Sequence, residues 1–94
     1  MSDYLFELKD IDTIKRLGTY GFEYSILYEG YVRYYDTGVS VIRFIVFADE
    51  KRKGKLYVDS SIIYDTFSKE RISKLLKTLN IEHLFKEVLC DENI

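Results

Sequence analysis

Residues 39–48 read VSVIRFIVFA. Successive side chains of a strand point to opposite sides. Val41, Arg43, Ile45 and Phe47 therefore share one face, and Ile42, Phe44 and Val46 the other. A strand apolar on both sides belongs in the interior of a sheet, so this segment is expected to be the central strand.

The flanking segments supply its neighbours. Residues 22–35 alternate strictly, with Phe22, Tyr24, Ile26, Tyr28, Val32 and Tyr34 on one side and Glu23, Ser25, Leu27, Glu29, Tyr31, Arg33 and Tyr35 on the other. This predicts one long strand, with Gly30 a candidate bulge. Asp36-Thr37-Gly38 has the composition of a three-residue hairpin loop with glycine in the left-handed position. Asp49 to Gly54 (DEKRKG) is a polar loop, and Lys55 to Ser61 is a third strand. Short turns between the three give an antiparallel meander.

Helices bracket it. Asp10 fits an N-cap, and Ile11, Ile14 and Leu17 follow at helical spacing before Gly18, a fitting C′ residue. Residues 2–9 are ambiguous: Tyr4, Phe6 and Leu8 alternate like a strand, whereas Tyr4, Leu8 and Ile11 fit a helix face. Ser68 caps a helix whose stripe is Ile72, Leu75, Leu76 and Leu79. Asn80 ends it, and Ile81, Leu84, Phe85 and Val88 suggest a second short helix, with Glu82 and Lys86 at i,i+4 spacing. The sequence thus predicts a single α+β domain over 1–94. It is a three-stranded antiparallel meander with helices packed on one face, in the order α-β-β-β-α-α, with 91–94 a frayed tail.

Composition bounds the function. The chain is 47% hydrophobic and 32% charged, which suits a folded domain, and its net charge of −2 argues against sequence-independent nucleic-acid binding. Cys90 is the one cysteine, so an intrachain disulfide is excluded and a reducing, cytoplasmic compartment is expected. No basic leader is evident at Met1-Ser2-Asp3, and the longest apolar run, Phe44 to Ala48, is far too short to span a membrane. Catalytic patterns are lacking. His83 is the only histidine, and its seven-residue spacing from Cys90 puts the two about two turns apart on a helix. Neither residue, even with Glu87, has recognised metal-ligand spacing. No catalytic residue, cofactor or metal is expected.

The aromatic residues carry the functional reading. Residues 28–38, YEGYVRYYDTG, hold four of the nine tyrosines. Strand parity assigns Tyr28 and Tyr34 to the core and Tyr31 and Tyr35 to the opposite face. With Arg33 there, Arg43 on the neighbouring strand and Tyr57 on the third, Tyr31, Arg33, Tyr35, Arg43 and Tyr57 are the candidate partner-binding residues. Tyrosine and arginine are enriched in binding hot spots. The expectation is a small non-enzymatic protein–protein interaction module. One version is a phage- or virus-encoded inhibitor of a host protein, and another is self-association through the sheet as a homodimer. The alternative is nucleic-acid binding through the basic loop Lys51, Arg52, Lys53 and Lys55 together with Lys69, Arg71, Lys74 and Lys77 of the helix.

Two resemblances accompany these readings. Helix, three strands and helix is the order of double-stranded-RNA-binding domains. The segment FSKERISK (67–74) resembles that family's last-helix start at Ser68 and Lys69, with Glu70 where a second lysine stands. The resemblance implies duplex-RNA binding. The full predicted order, with two final helices, is similar to that of a small Cas9-inhibiting anti-CRISPR protein family, which implies inhibition by protein contact and carries over no residues.

Overall fold

A computed structural model describes residues 4–88. Its centre is one antiparallel sheet of six strands in the order β2-β3-β4-β5-β1-β6. The strands are β1 (Phe6–Leu8), β2 (Glu23–Ser25), β3 (Gly30–Asp36), β4 (Val41–Phe47), β5 (Lys55–Ser60) and β6 (Phe85–Glu87). One α-helix, α1 (Lys69–Thr78), and a 3₁₀ segment (Ile11–Tyr20) cover one face. A second 3₁₀ turn spans Glu82–Leu84. The fold is α+β, but the sheet has six strands rather than being a three-stranded meander, and the α-β-β-β-α-α order is not the one observed. The element order behind both resemblances is therefore not that of this chain.

Within the sheet β3, β4 and β5 follow one another as antiparallel neighbours, and β4 is an interior strand. Ile42, Phe44 and Val46 face the helices, while Ile45 and Phe47 are buried on the other side. The hairpin loop after β3 runs over residues 37–40, with Gly38 at φ 88° as its composition predicts.

Three departures produce the additional strands. First, the ambiguous N-terminal segment becomes β1, which pairs with β5 on one side and β6 on the other. Its alternation buries Phe6 and Leu8 against the helices and leaves Glu7 on the opposite face. Second, residues 81–88 do not form an α-helix: Glu82–Leu84 makes a single 3₁₀ turn and Phe85–Glu87 is a strand. Asn80 turns the chain at φ 60° as expected, but Phe85 then pairs with Leu8, and the Lys9 and Val88 amides bond the Leu84 and Leu5 carbonyls at 2.9 Å. So short a stretch has little intrinsic helix stability, and pairing satisfies β1's otherwise open edge. The expected Glu82–Lys86 pair gives way to Lys77–Glu82 and Lys86–Glu7, each at 3.8 Å.

Third, residues 22–35 are two strands. A turn over Ile26 to Glu29, closed by the Glu29 amide on the Ile26 carbonyl at 3.3 Å, folds β2 back on β3. Glu29 takes the left-handed conformation, φ 53°, where glycine is the usual occupant. Gly30 is not a bulge. It sits where a Cβ would come 2.6 Å from the Val46 carbonyl oxygen. Because Tyr24 faces Tyr31, even positions of β2 share a side with odd positions of β3.

The N-terminal helical segment is 3₁₀ and runs past Gly18 to Tyr20. Asp10 caps it, accepting from the Asp12 amide at 3.0 Å. The C-terminal left-handed residue is Gly21, φ 86°, three residues beyond the glycine expected to end it. Gly18, Thr19 and Tyr20 are weak α-formers. α1 agrees with the sequence: Ser68 accepts from the Arg71 amide at 3.2 Å, and Ile72 and Leu76 are buried. The predicted tail, 91–94, and Cys90 lie outside the described residues.

Candidate contact surface

Among the described residues no helix covers the second face of the sheet. Its apolar centre is Val32, Ile45 and Phe47, all buried, and what shields them is largely aromatic. Tyr28 leans from the 26–29 turn and Tyr4 arrives from before β1, both packing on this cluster. The Tyr4 ring meets Phe47 edge-on at 5.8 Å between centroids, and Tyr57 lies 6.4 Å from the same ring. Rings of this kind bury their bodies and leave the hydroxyl end toward water.

Arg43 is the polar hub of the face. Its Nε donates to Asp59 Oδ1 at 2.9 Å, and its Nη2 donates to Asp59 Oδ2. Its Nη1 donates to the Tyr28 hydroxyl, and the guanidinium lies 4.6 Å from that ring's centroid. The hydrogen bond from Arg43 to Asp59 raises the arginine pKa above its already high value, against the opposing effect of burial. Arg52 stacks on Phe47 at 3.9 Å and donates to Asp49 at 2.9 Å. Toward β1, Lys55 donates to Glu7, with Lys86 3.8 Å from the same carboxylate. Each of these cations thus meets a carboxylate on or at the rim of the face.

Two shallow depressions flank Arg43. One, about 350 Å³, is lined by Leu27, Tyr28, Phe47, Arg52 and Tyr57 among others. The other, about 270 Å³, lies between Tyr34, Val41 and Asp59. Around them the apolar groups open to solvent include Leu27, 80% exposed, Tyr34, 59%, Tyr57, 41%, and Val41, 38%.

No family model, curated protein or solved structure matches the chain. The geometry is therefore the only guide to what this face does.

The sequence-predicted contact residues divide between the two faces. Arg43 and Tyr57 lie on the uncovered side, on neighbouring strands, as their parity with Ile45 and Phe47 required. Tyr31 and Tyr35 pack against the helix-covered core instead, and Arg33 donates to the Tyr20 carbonyl at 2.8 Å. Tyr34, assigned to the core by parity, is on the uncovered face. The cause is pairing: Tyr31, Arg33 and Tyr35 stand opposite Val46, Phe44 and Ile42, the helix-facing side of β4. Tyr28, Tyr34 and Arg52 are surface residues that the sequence assigns elsewhere, and Tyr4 lies in the segment whose pattern fits both a strand and a helix. The alternation of β4 carried the usable signal, because it linked Arg43 with Ile45 and Phe47 independently of the 26–29 turn.

The basic residues also separate. Arg52 and Lys55 lie on the uncovered side, whereas α1 with Lys69, Arg71, Lys74 and Lys77 packs on the other. Five of the eight are ion-paired: Arg52 with Asp49, Lys55 with Glu7, Lys69 with Glu87, Arg71 with Asp65 and Lys77 with Glu82. Lys51, Lys53 and Lys74 are exposed. Among the described residues no three His, Cys, Asp or Glu side chains could together hold a metal ion, and no helix is long and apolar enough to cross a membrane.

Proposed function

We propose that the protein is a non-enzymatic contact module whose working surface is the uncovered sheet face, and that its first partner is a second copy of itself. The observation that carries this reading is the Tyr28–Arg43–Asp59 cluster set among Phe47, Tyr57 and Tyr34, on a face that no helix among the described residues covers. Aromatic rings and a pre-ordered guanidinium are what binding hot spots are made of. Pre-ordering matters because side chains already held in place lose less freedom on association.

Charge favours a like partner. A two-fold contact sets a patch against itself, so any excess of one sign would repel. Here Arg43, Arg52 and Lys55 each have a carboxylate partner within the molecule. The available area fits as well. Six strands about 4.8 Å apart, two of seven residues and the others shorter, together offer roughly 500 Å² per copy. A stacked pair buries about 1,000 Å², the lower limit for a specific contact, so association is expected to be weak and concentration-dependent.

Sedimentation velocity over a broad concentration range tests this directly. A reversible dimer is expected, weakened by more than about 1 kcal/mol in Tyr57→Ala or Tyr34→Ala and largely insensitive to salt. A species that stays monomeric at millimolar concentration refutes the second copy as partner. A dimer indifferent to both substitutions moves the contact elsewhere.

A further inference from the structure

Four arginines are half-buried: Arg33, Arg43, Arg52 and Arg71. Three are matched by an aspartate, respectively Asp59 for Arg43, Asp49 for Arg52 and Asp65 for Arg71. Arg33 is the exception: among the described residues no carboxylate lies within ion-pairing distance of it. Removing a guanidinium from water without a counter-charge is costly.

The chain nevertheless holds Arg33 in place. Its guanidinium lies close across Gly21, where a Cβ would come 3.3 Å from Nε, and the left-handed turn there, φ 86°, favours glycine. Its Nη1 donates to the Tyr20 carbonyl at 2.8 Å. That uses one of five N–H donors. Arg33 also lines a depression of about 540 Å³, bordered by Thr19, Asn80 and His83. A hydroxyl, an amide and an imidazole can each donate a hydrogen bond. No aspartate or glutamate lines the depression. His83 is set edge-on to the Tyr20 ring at 6.0 Å. Three segments far apart in sequence thus bring four hydrogen-bond-donating side chains to one shallow, acid-free site.

We infer that this depression binds a small oxyanion, a carboxylate or a phosphate group. The Arg33 fork supplies the charge, since a planar guanidinium matches two oxygens of either group. Thr19, Asn80 and His83 supply further hydrogen-bond donors around it.

The test is an NMR titration of the intact chain with sodium phosphate, and in parallel sodium acetate, against sodium chloride at equal ionic strength. It follows the arginine Nε–Hε signals and the amides of residues 19–21 and 79–83. Saturable shifts confined to Arg33 and these amides are expected. They should weaken by about tenfold or more in Arg33→Gln, as for a lost charge-assisted hydrogen bond, and stay unchanged in Arg16→Gln. Because Arg33 also holds the Tyr20 carbonyl, a double variant at exposed positions, Thr19→Val with His83→Ala, provides a second reading and should weaken binding severalfold. Tighter phosphate than acetate assigns a phosphate group, and equal or tighter acetate assigns a carboxylate. Shifts reproduced by chloride, shifts that never saturate, or binding undiminished in the double variant overturn the inference.

Discussion

Gly30→Ala should destabilise the protein even though alanine is the better strand residue. A Cβ at position 30 would lie 2.6 Å from the Val46 carbonyl oxygen and 2.9 Å from the Phe47 Cα. Both obstacles are backbone in the buried central strand, so no rotamer change relieves them. Restoring a 3.4 Å contact requires β3 to retreat from β4 by about 0.8 Å here, the difference between 3.4 and 2.6 Å. The neighbouring bond from the Ala48 amide to the Glu29 carbonyl, 2.9 Å long, would stretch past the 3.5 Å at which a hydrogen bond is effectively lost. That loss costs about 1 kcal/mol, and the overpacking about 1–3 kcal/mol. Against this, alanine returns about 0.5–1 kcal/mol through a less flexible unfolded chain. The net is a destabilisation of about 1–3 kcal/mol, or a fall in Tm of about 5–20 °C for a domain of this size. Gly18→Ala is the control, since nothing lies within 4 Å of its added Cβ and its φ is not left-handed; it should be neutral or slightly stabilising. Thermal and urea unfolding of both variants suffice. A Gly30→Ala protein as stable as wild type would refute the β3–β4 register.

Two further expectations follow from the faces and the ion pairs. Tyr35→Ala should cost about 2 kcal/mol, roughly half the value for a fully buried aromatic ring, because Tyr35 is only partly buried against the main core. Tyr34→Ala, on a side chain 59% exposed, should leave the unfolding midpoint nearly unchanged, and the reverse ranking would mean the faces are misassigned. The second concerns Asp65, whose carboxyl the hydrogen bond from Arg71 holds below its usual pKa. A lowered folded-state pKa gives stability that is complete above the unfolded value of about 3.9 and is lost as pH falls through the folded value. The Tm gap between wild type and Arg71→Ala should therefore be largest near neutral pH and narrow below about pH 4. It should not vanish, because Arg71 also stacks on Phe67 at 4.4 Å and bonds the Thr66 carbonyl. A gap constant from pH 7 to pH 2 would show that the carboxylate contributes nothing.

The candidate surface was half legible in the sequence. Arg43 and Tyr57 could be placed beside Ile45 and Phe47 because β4 and β5 are continuous strands joined by a polar loop. Tyr31, Arg33 and Tyr35 could not be placed relative to them. Their side depends on register with β4, and the strand-like alternation of 22–35 hides a reversal at Ile26 to Glu29 that contains neither glycine nor proline. The basic residues of 51–55 and 69–77 looked collinear in charge, but charge along a chain does not say which side of a sheet each element will occupy.

The sequence by itself determined the elements whose information is local. The Ile72–Leu76 stripe with its Ser68 cap specifies α1, and the two-sided apolar run specifies an interior β4, because both patterns follow from backbone periods of 3.6 and 2 residues. Only the tertiary structure decided that Phe6–Leu8 and Phe85–Glu87 are strands at all. Three residues are too few to show a period, and β1 is a strand because it pairs beside Leu56 and Phe85, partners some fifty and eighty positions away. The same long-range pairing decided which tyrosines meet the helices and which meet the solvent. A side chain's parity is fixed within its own strand, but the face it occupies is fixed by the strand beside it.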